Sequence, residues 1–238
     1  MQASHRVIFN TLITYARSFI TVFITLYSTR LIVKALGVDD FGLYSLVGGI
    51  VGMLAFFNSA LTTSTQRYIS ISIGKGLLDE IKKVVANSIV IHLVLGALIV
   101  LLVEFVGYST FVTVISVPSE AILNAHENML FLAILGIFET FFKLGAALFL
   151  TSVINYDRLK IYALLLFIIL FLINCIKWGY CLYKYKETKI SIKRDFDRSQ
   201  VRVQTSFVGW NLFGAACGMG RGHGIAIISN MFFGTVVN

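Results

Sequence analysis

Apolar residues gather along this chain in long blocks separated by short polar connectors, with no alternation of the kind a half-buried strand requires. A bilayer core about 30 Å thick needs roughly 20 apolar residues in helix. The first block covers about residues 7–36 and ends at Gly37-Val-Asp-Asp40, a turn carrying helix-starting carboxylates. The second covers 41–73 and is closed by Gly74-Lys-Gly76. After a polar stretch at 77–83, a third covers 84–106 and closes at Gly107. The fourth, 111–125, is interrupted by Pro118 and polar at Ser119, Glu120 and Asn124, so it reads as short or incomplete. A fifth covers 129–154, and a sixth, 161–183, is the most apolar. The last, 205–237, is apolar but rich in glycine.

The pattern therefore predicts an all-α, polytopic membrane bundle of about seven helices. Residues 1–183 form an N-terminal transmembrane bundle, 184–204 a basic cytoplasmic loop, and 205–238 the first helix of a second bundle that is cut short. Composition strengthens this. Of 238 residues 57% are hydrophobic and 13% charged, with a mean hydropathy of +0.84. Soluble domains carry about a quarter charged residues, and a chain of this size still needs a wetted surface.

A net charge of +8 raises nucleic acid as a partner, but the bases lie in connectors and no basic binding module is present. They set orientation instead. Lys75, Lys82 and Lys83 fall on the same side as Arg6 and the 184–204 segment, whose seven bases stand against three acids. Lys34, Arg158 and Lys160 fall on the other. An excess of bases on the cytoplasmic side places the N-terminus in the cytoplasm, provided the fourth block crosses.

Charges inside the blocks are informative because each costs at least about 2.5 kcal/mol near the bilayer centre. Arg17 lies a third of the way into the first block and Arg30 near its end; Glu104 closes the third. Glu139 and Lys143, four apart, can pair on one face. Arg17 either snorkels to headgroups or points into a hydrated cavity. Hydroxyl and amide groups in the first two blocks, among them Asn10, Thr14, Asn58 and Gln66, continue into Arg67; they suit helix packing or a polar cavity wall, and the 58–67 run favours the wall.

Gly218-Met-Gly-Arg-Gly-His-Gly224 lacks the preceding strand and following Lys-Ser/Thr of a phosphate loop, and is expected to be a broken helix lining a cavity. Cys175, Cys181 and Cys217 have no metal-like spacing and read as small buried hydrophobes. His126-Glu127 lacks the second histidine of a metalloprotease helix, and His92 stands alone. No catalytic residue, metal site or cofactor is expected, and the chain reads as non-enzymatic.

Several stretches, taken in order, resemble the polysaccharide-exporter branch of the multidrug/oligosaccharidyl-lipid/polysaccharide flippase superfamily. They include Asn10-Thr-Leu-Ile-Thr-Tyr-Ala-Arg17, Leu26-Tyr-Ser-Thr-Arg30, Ala35-Leu-Gly-Val-Asp-Asp-Phe-Gly-Leu-Tyr44 and Ser64-Thr-Gln-Arg67. Val117-Pro118, Ala125-His-Glu127, Tyr156-Asp-Arg-Leu159 and Ser206-Phe-Val-Gly-Trp210 extend the resemblance along nearly the whole chain. It implies a bacterial inner-membrane protein of lipopolysaccharide or polysaccharide biosynthesis. Such a protein moves a polyprenyl-pyrophosphate-linked oligosaccharide by alternating access between two six-helix bundles. It also implies that Arg17, Arg30 and Lys143 meet the carrier pyrophosphate, and leaves Glu104 and Glu139 as coupling candidates.

Members of that family are about twice this length and carry a longer connector before Val117. The chain therefore reads as an N-terminal half with an internal deletion. It would work with membrane lipids and lipid-linked oligosaccharide, as a homodimer or beside a separate second half. A cation-coupled multidrug exporter and a truncated, non-transporting membrane remnant are the alternatives.

Overall fold

The computed structural model describes the backbone of residues 3–102, 104–152 and 157–233, and side chains outside 3–4, 46–47, 49–57, 98–111, 192–193 and 219–233. Among the described residues the chain is all helical, with no strand. Helix α1 runs Ala3–Lys75 with one interruption, Gly37, at φ 82° and ψ 178°. A side chain at that φ would be strained, so the expected turn falls there and divides α1 into a first arm, 3–36, and a second, 38–75. The others are α2 (Leu78–Leu102), α3 (Glu104–Ala125), α4 (Met129–Ser152), α5 (Arg158–Lys184), α6 (Ile192–Asp195) and α7 (Arg198–Phe233), with a 3₁₀ turn at Lys186–Thr188.

Two apolar clusters fix the direction of each rod. At one end Ile32, Ala35 and Leu36 pack with Ala147, Leu150 and Tyr162, and the Arg158 guanidinium donates to the Ala35 carbonyl at 2.6 Å. At the other end Ile69, Ile81, Val84, Ile122, Leu132 and Cys181 meet. Successive rods therefore alternate in direction, from the first arm through α5. Among the described residues, three helical stretches are long and apolar enough to cross a membrane: His5–Ser45, Met129–Ser152 and Arg158–Lys184.

Three sequence expectations change. The fourth rod is longer as a helix than expected, since α3 begins at Glu104 and spans 22 residues, about 33 Å at 1.5 Å per residue, but its apolar part is the shorter stretch Val112–Ala125. Gly107 therefore falls inside α3 and not at a helix end, and α3 packs on α2. Pro118 sits inside α3, where the helix lacks only the one hydrogen bond proline cannot donate. The 218–224 stretch is unbroken helix within α7. Finally, α7 starts at Arg198, inside the segment expected to be a loop, and packs on α1 and α2. Val208 of α7 closes a small core with Leu61 and Val117.

The 184–204 segment is correspondingly folded rather than solvated throughout. Glu187, Thr188 and Asp195 are buried. Asp197 Oδ1 accepts from the Ser199 amide and hydroxyl at 3.0 and 2.7 Å, capping the start of α7. Asn87, fully buried on α2, ties this cap down through paired 3.1 Å bonds to the Asp197 carbonyl and amide. His126 and Tyr185 stack with centroids 4.1 Å apart, and His126 Nε2 contacts the Glu187 carboxylate.

Candidate functional site

Two cavities among the described residues lie between the alternating rods. The inner one, about 520 Å³, is walled by the second arm of α1 and by α3, α4 and α5. Asn58, Thr62 and Gln66 enter it from α1; Ser116, Glu120 and Asn124 from α3; Glu139 from α4; and Asn174 and Lys177 from α5. Lys177 Nζ lies 3.4 Å from Glu120 Oε2, which compensates both charges across the cavity.

Two residues of this lining keep a buried acceptor without a partner among the described residues. The Asn174 amide nitrogen donates to the Val112 carbonyl at 3.3 Å, leaving its buried Oδ1 without a protein partner, as is Oδ1 of Asn58. Thr63 and Ser116 each donate their single hydroxyl proton to a carbonyl of their own helix, at 2.8 and 2.7 Å, so both present lone pairs. Unpaired buried acceptors are costly, so the chamber favours water, hydroxyl-rich ligands or small cations as occupants.

The outer cavity, about 450 Å³, lies toward the Gly37 end. Thr25, Ser28 and Thr29 line it from the first arm, Tyr44 from the second, Thr140 and Lys143 from α4, and Tyr162 from α5. Lys143 Nζ and Glu139 Oε1 are 2.6 Å apart. This is the i,i+4 pair read from the sequence, and it stands in the wall between the cavities.

The sequence-derived candidates do not converge on one point. Arg17 is half-buried and lies against the backbone of α4 at Gly136, where its guanidinium fills the space of a β-carbon. It turns toward the bundle. Arg30 is exposed and lines neither cavity. Asn58 and Gln66 do line the inner chamber. Asn10 and Thr14 do not: Asn10 donates to the Glu127 carbonyl at 3.5 Å, and Thr14 donates to the Asn10 carbonyl. Arg67 is exposed and stacks 4.4 Å from the Phe207 ring centroid of α7, because successive residues on a helix point about 100° apart. The Glu104 side chain lies outside the described residues.

Sequence reasoning missed Glu120, Asn124, Asn174 and Lys177. A lysine with an asparagine three residues before it, inside an otherwise apolar helix, is a signal that could have identified the α5 pair. His92 is buried, with Nδ1 beside the Ser88 carbonyl, and packs rather than lining a site. Cys181 is buried as expected, whereas Cys175 and Cys217 are exposed. No group of three or more metal-ligating side chains occurs among the described residues.

No family model, curated protein or solved structure matches this chain.

Proposed function

We propose that this chain is a membrane-embedded transporter unit that carries a polyprenyl-pyrophosphate-linked oligosaccharide across the bacterial inner membrane. One observation carries the reading: a hydroxyl-, amide- and carboxylate-lined chamber sits inside a bundle whose outer faces are apolar. Phe19, Leu26 and Tyr15 on the first arm are 68%, 66% and 72% exposed, and Trp210 on α7 is 72% exposed. A contiguous apolar exterior of this kind has no place in water. Lipid covers it at no cost, and a charged wall inside hydrocarbon marks a pathway.

Arg17 lines neither cavity, but its guanidinium lies on α4 at Gly136, which favours an interior placement over snorkelling. The end carrying Lys75, Lys82, Lys83 and the 184–204 segment faces the cytoplasm. Rocking of one bundle against another needs a second bundle besides the one described.

The test is complementation of a flippase-deficient bacterium. Surface glycan is restored by the wild-type chain together with any second half, and lost in Arg17→Ala at equal membrane abundance. Equal restoration by Arg17→Ala overturns the assignment. A second reading, cation-coupled export of small molecules, is favoured by Glu120 and Glu139 both opening on the inner chamber. It predicts drug resistance that collapses with an uncoupler and is indifferent to glycan synthesis.

A further inference from the structure

Glu139 and Lys143 form one ion pair, yet they face different cavities. Glu139 lines the inner chamber and Lys143 the outer one, with 2.6 Å between Oε1 and Nζ. Their side chains keep 22% and 39% exposure respectively, so each can be reached from its own side. We propose that this pair links the two cavities. A proton on Glu139 in the inner chamber releases the Lys143 ammonium to hold an anionic group of the phosphate class in the outer one. This rests on reading the cavities as ligand chambers and specifies how the two communicate.

The outer cavity suits an anion once Lys143 is free. Among the described residues no carboxylate lines it, and its other polar groups, Thr25, Ser28, Thr29, Thr140, Tyr44 and Tyr162, are neutral hydroxyls. Hydroxyls can turn to donate to phosphate oxygens, and an ammonium serves phosphate as a point charge. With Glu139 ionised, the same ammonium is already engaged, and an incoming anion meets a carboxylate close behind it.

The inner chamber assigns the proton to Glu139 rather than to its neighbour. Glu120, from α3, is held by Lys177 of α5 at 3.4 Å. Among the described residues Glu139 has Lys143 alone as an ion-pair partner, the very group the anion would take. Arg17 from α1 lies at Gly136, one turn before Glu139, without an ion-pair partner among the described residues. Tyr44 and Tyr162 are the titratable groups that face Lys143. Protonation of Glu139 and anion binding at Lys143 must favour each other equally, since coupling between sites is reciprocal.

The experiment is calorimetric titration of the purified full chain with inorganic pyrophosphate and, separately, with farnesyl pyrophosphate. Each is run across about pH 5 to 8 in two buffers of different ionisation enthalpy, which counts protons taken up. Relative to Glu139→Gln, the wild type is expected to lose affinity as pH rises and to take up a fraction of a proton more on binding. Glu139→Gln, measured with the same ligands, subtracts the ligand's own protonation. It is expected to bind about tenfold tighter at the upper end of the range, a coupling of ordinary size, with the excess uptake gone. Lys143→Met loses binding and Lys143→Arg keeps it.

Tighter binding of farnesyl than of inorganic pyrophosphate assigns the anion to a lipid carrier, and equal binding to a free phosphate; either supports the site. Undiminished binding by Lys143→Met, or excess proton uptake persisting in Glu139→Gln, overturns the proposal. Glycan export that fails in cells while this linkage holds counts against the transport reading alone. Arg17-dependent export without the linkage counts against this inference alone.

Discussion

The guanidinium of Arg17 rests on the α4 backbone at Gly136, occupying the volume that a β-carbon on residue 136 would need. A glycine in the middle of a helix costs about 1 kcal/mol relative to alanine, and here that cost coincides with the approach of a cation. The obstruction is the far end of a long flexible side chain, so Gly136→Ala should be accommodated by moving Arg17 and not by unfolding α4. Thermal unfolding in detergent is expected to show Gly136→Ala unchanged or stabilised by up to about 1 kcal/mol. Glycan export in the complementation assay should nevertheless fall as far as in Arg17→Ala. The double variant should be no worse than either single one, because both remove the same placement. A Gly136→Ala protein that exports normally removes the role assigned to this contact.

Asn87 and Asp197 exchange two hydrogen bonds 110 residues apart in sequence. Asn87 is fully buried, so replacing it leaves the Asp197 amide and carbonyl to find water or go unpaired. Asn87→Ala is expected to cost about 1–3 kcal/mol and to loosen the 184–204 segment from α2. Limited trypsin digestion reads this directly, since cleavage at Lys189 and Arg194 should accelerate several-fold before any cleavage within α4 or α5.

Hydrogen bonds from the Ser199 hydroxyl, then from the Ser199 amide, hold the Asp197 carboxyl below the usual carboxylate range. The group's folded value is lower than its unfolded one, so its contribution is present in full above about 3.8 and is lost as pH falls through the lower folded-state value. Hydrogen exchange over the first turn of α7 should therefore quicken on acidification below that point. Asp197→Asn can still cap the helix, and its exchange should lose this pH dependence.

The turn between α3 and α4 places Glu127 at φ 55°. Asn128 N–H reaches the Leu123 carbonyl at 2.9 Å and Glu127 N–H that of Asn124 at 3.0 Å, the bonding of a Schellman helix end. Gly76 occupies the equivalent position after α1, at φ 69°. A left-handed conformation costs a non-glycine residue roughly 1 kcal/mol. Glu127→Gly should stabilise the protein by about that amount in a denaturation midpoint, with Gly76→Ala destabilising it similarly.

The rods were legible because lipid-length apolar blocks and glycine-closed ends are local signals: Gly37 and Gly76 mark their turns in both sequence and structure. The boundary between α2 and α3 was not, since it depends on antiparallel pairing of Val84 and Val85 with Ile122 and neighbouring residues, which no window of sequence contains. Half of the inner chamber was visible as the polar run from Asn58 to Gln66. Its far wall was not, because Glu120 and Lys177 stand 57 residues apart and become a pair only when α3 and α5 pack. Arg67 was misplaced by reading polarity without the helical angle: one residue beyond Gln66, it points at Phe207 of α7.

That pair across the chamber also yields a stability prediction with a defined sign. Lys177 Nζ and Glu120 Oε2 are 3.4 Å apart, with side chains 15% and 40% exposed. The lysine is the more deeply enclosed partner, so removing Glu120 should hurt more than removing Lys177. Glu120→Gln strands an ammonium among Asn174, Thr62 and apolar Ile173, whereas Lys177→Met leaves a carboxylate with access to chamber water. Removing one member of an enclosed pair costs up to about 3 kcal/mol, and replacing both is often close to neutral. Unfolding in detergent should therefore rank Glu120→Gln below Lys177→Met, with the double variant recovering most of the loss. If the two single costs simply add in the double variant, the groups do not interact across the chamber, and Glu120 is not charge-compensated from α5 as Glu139 is by Lys143 on its own helix.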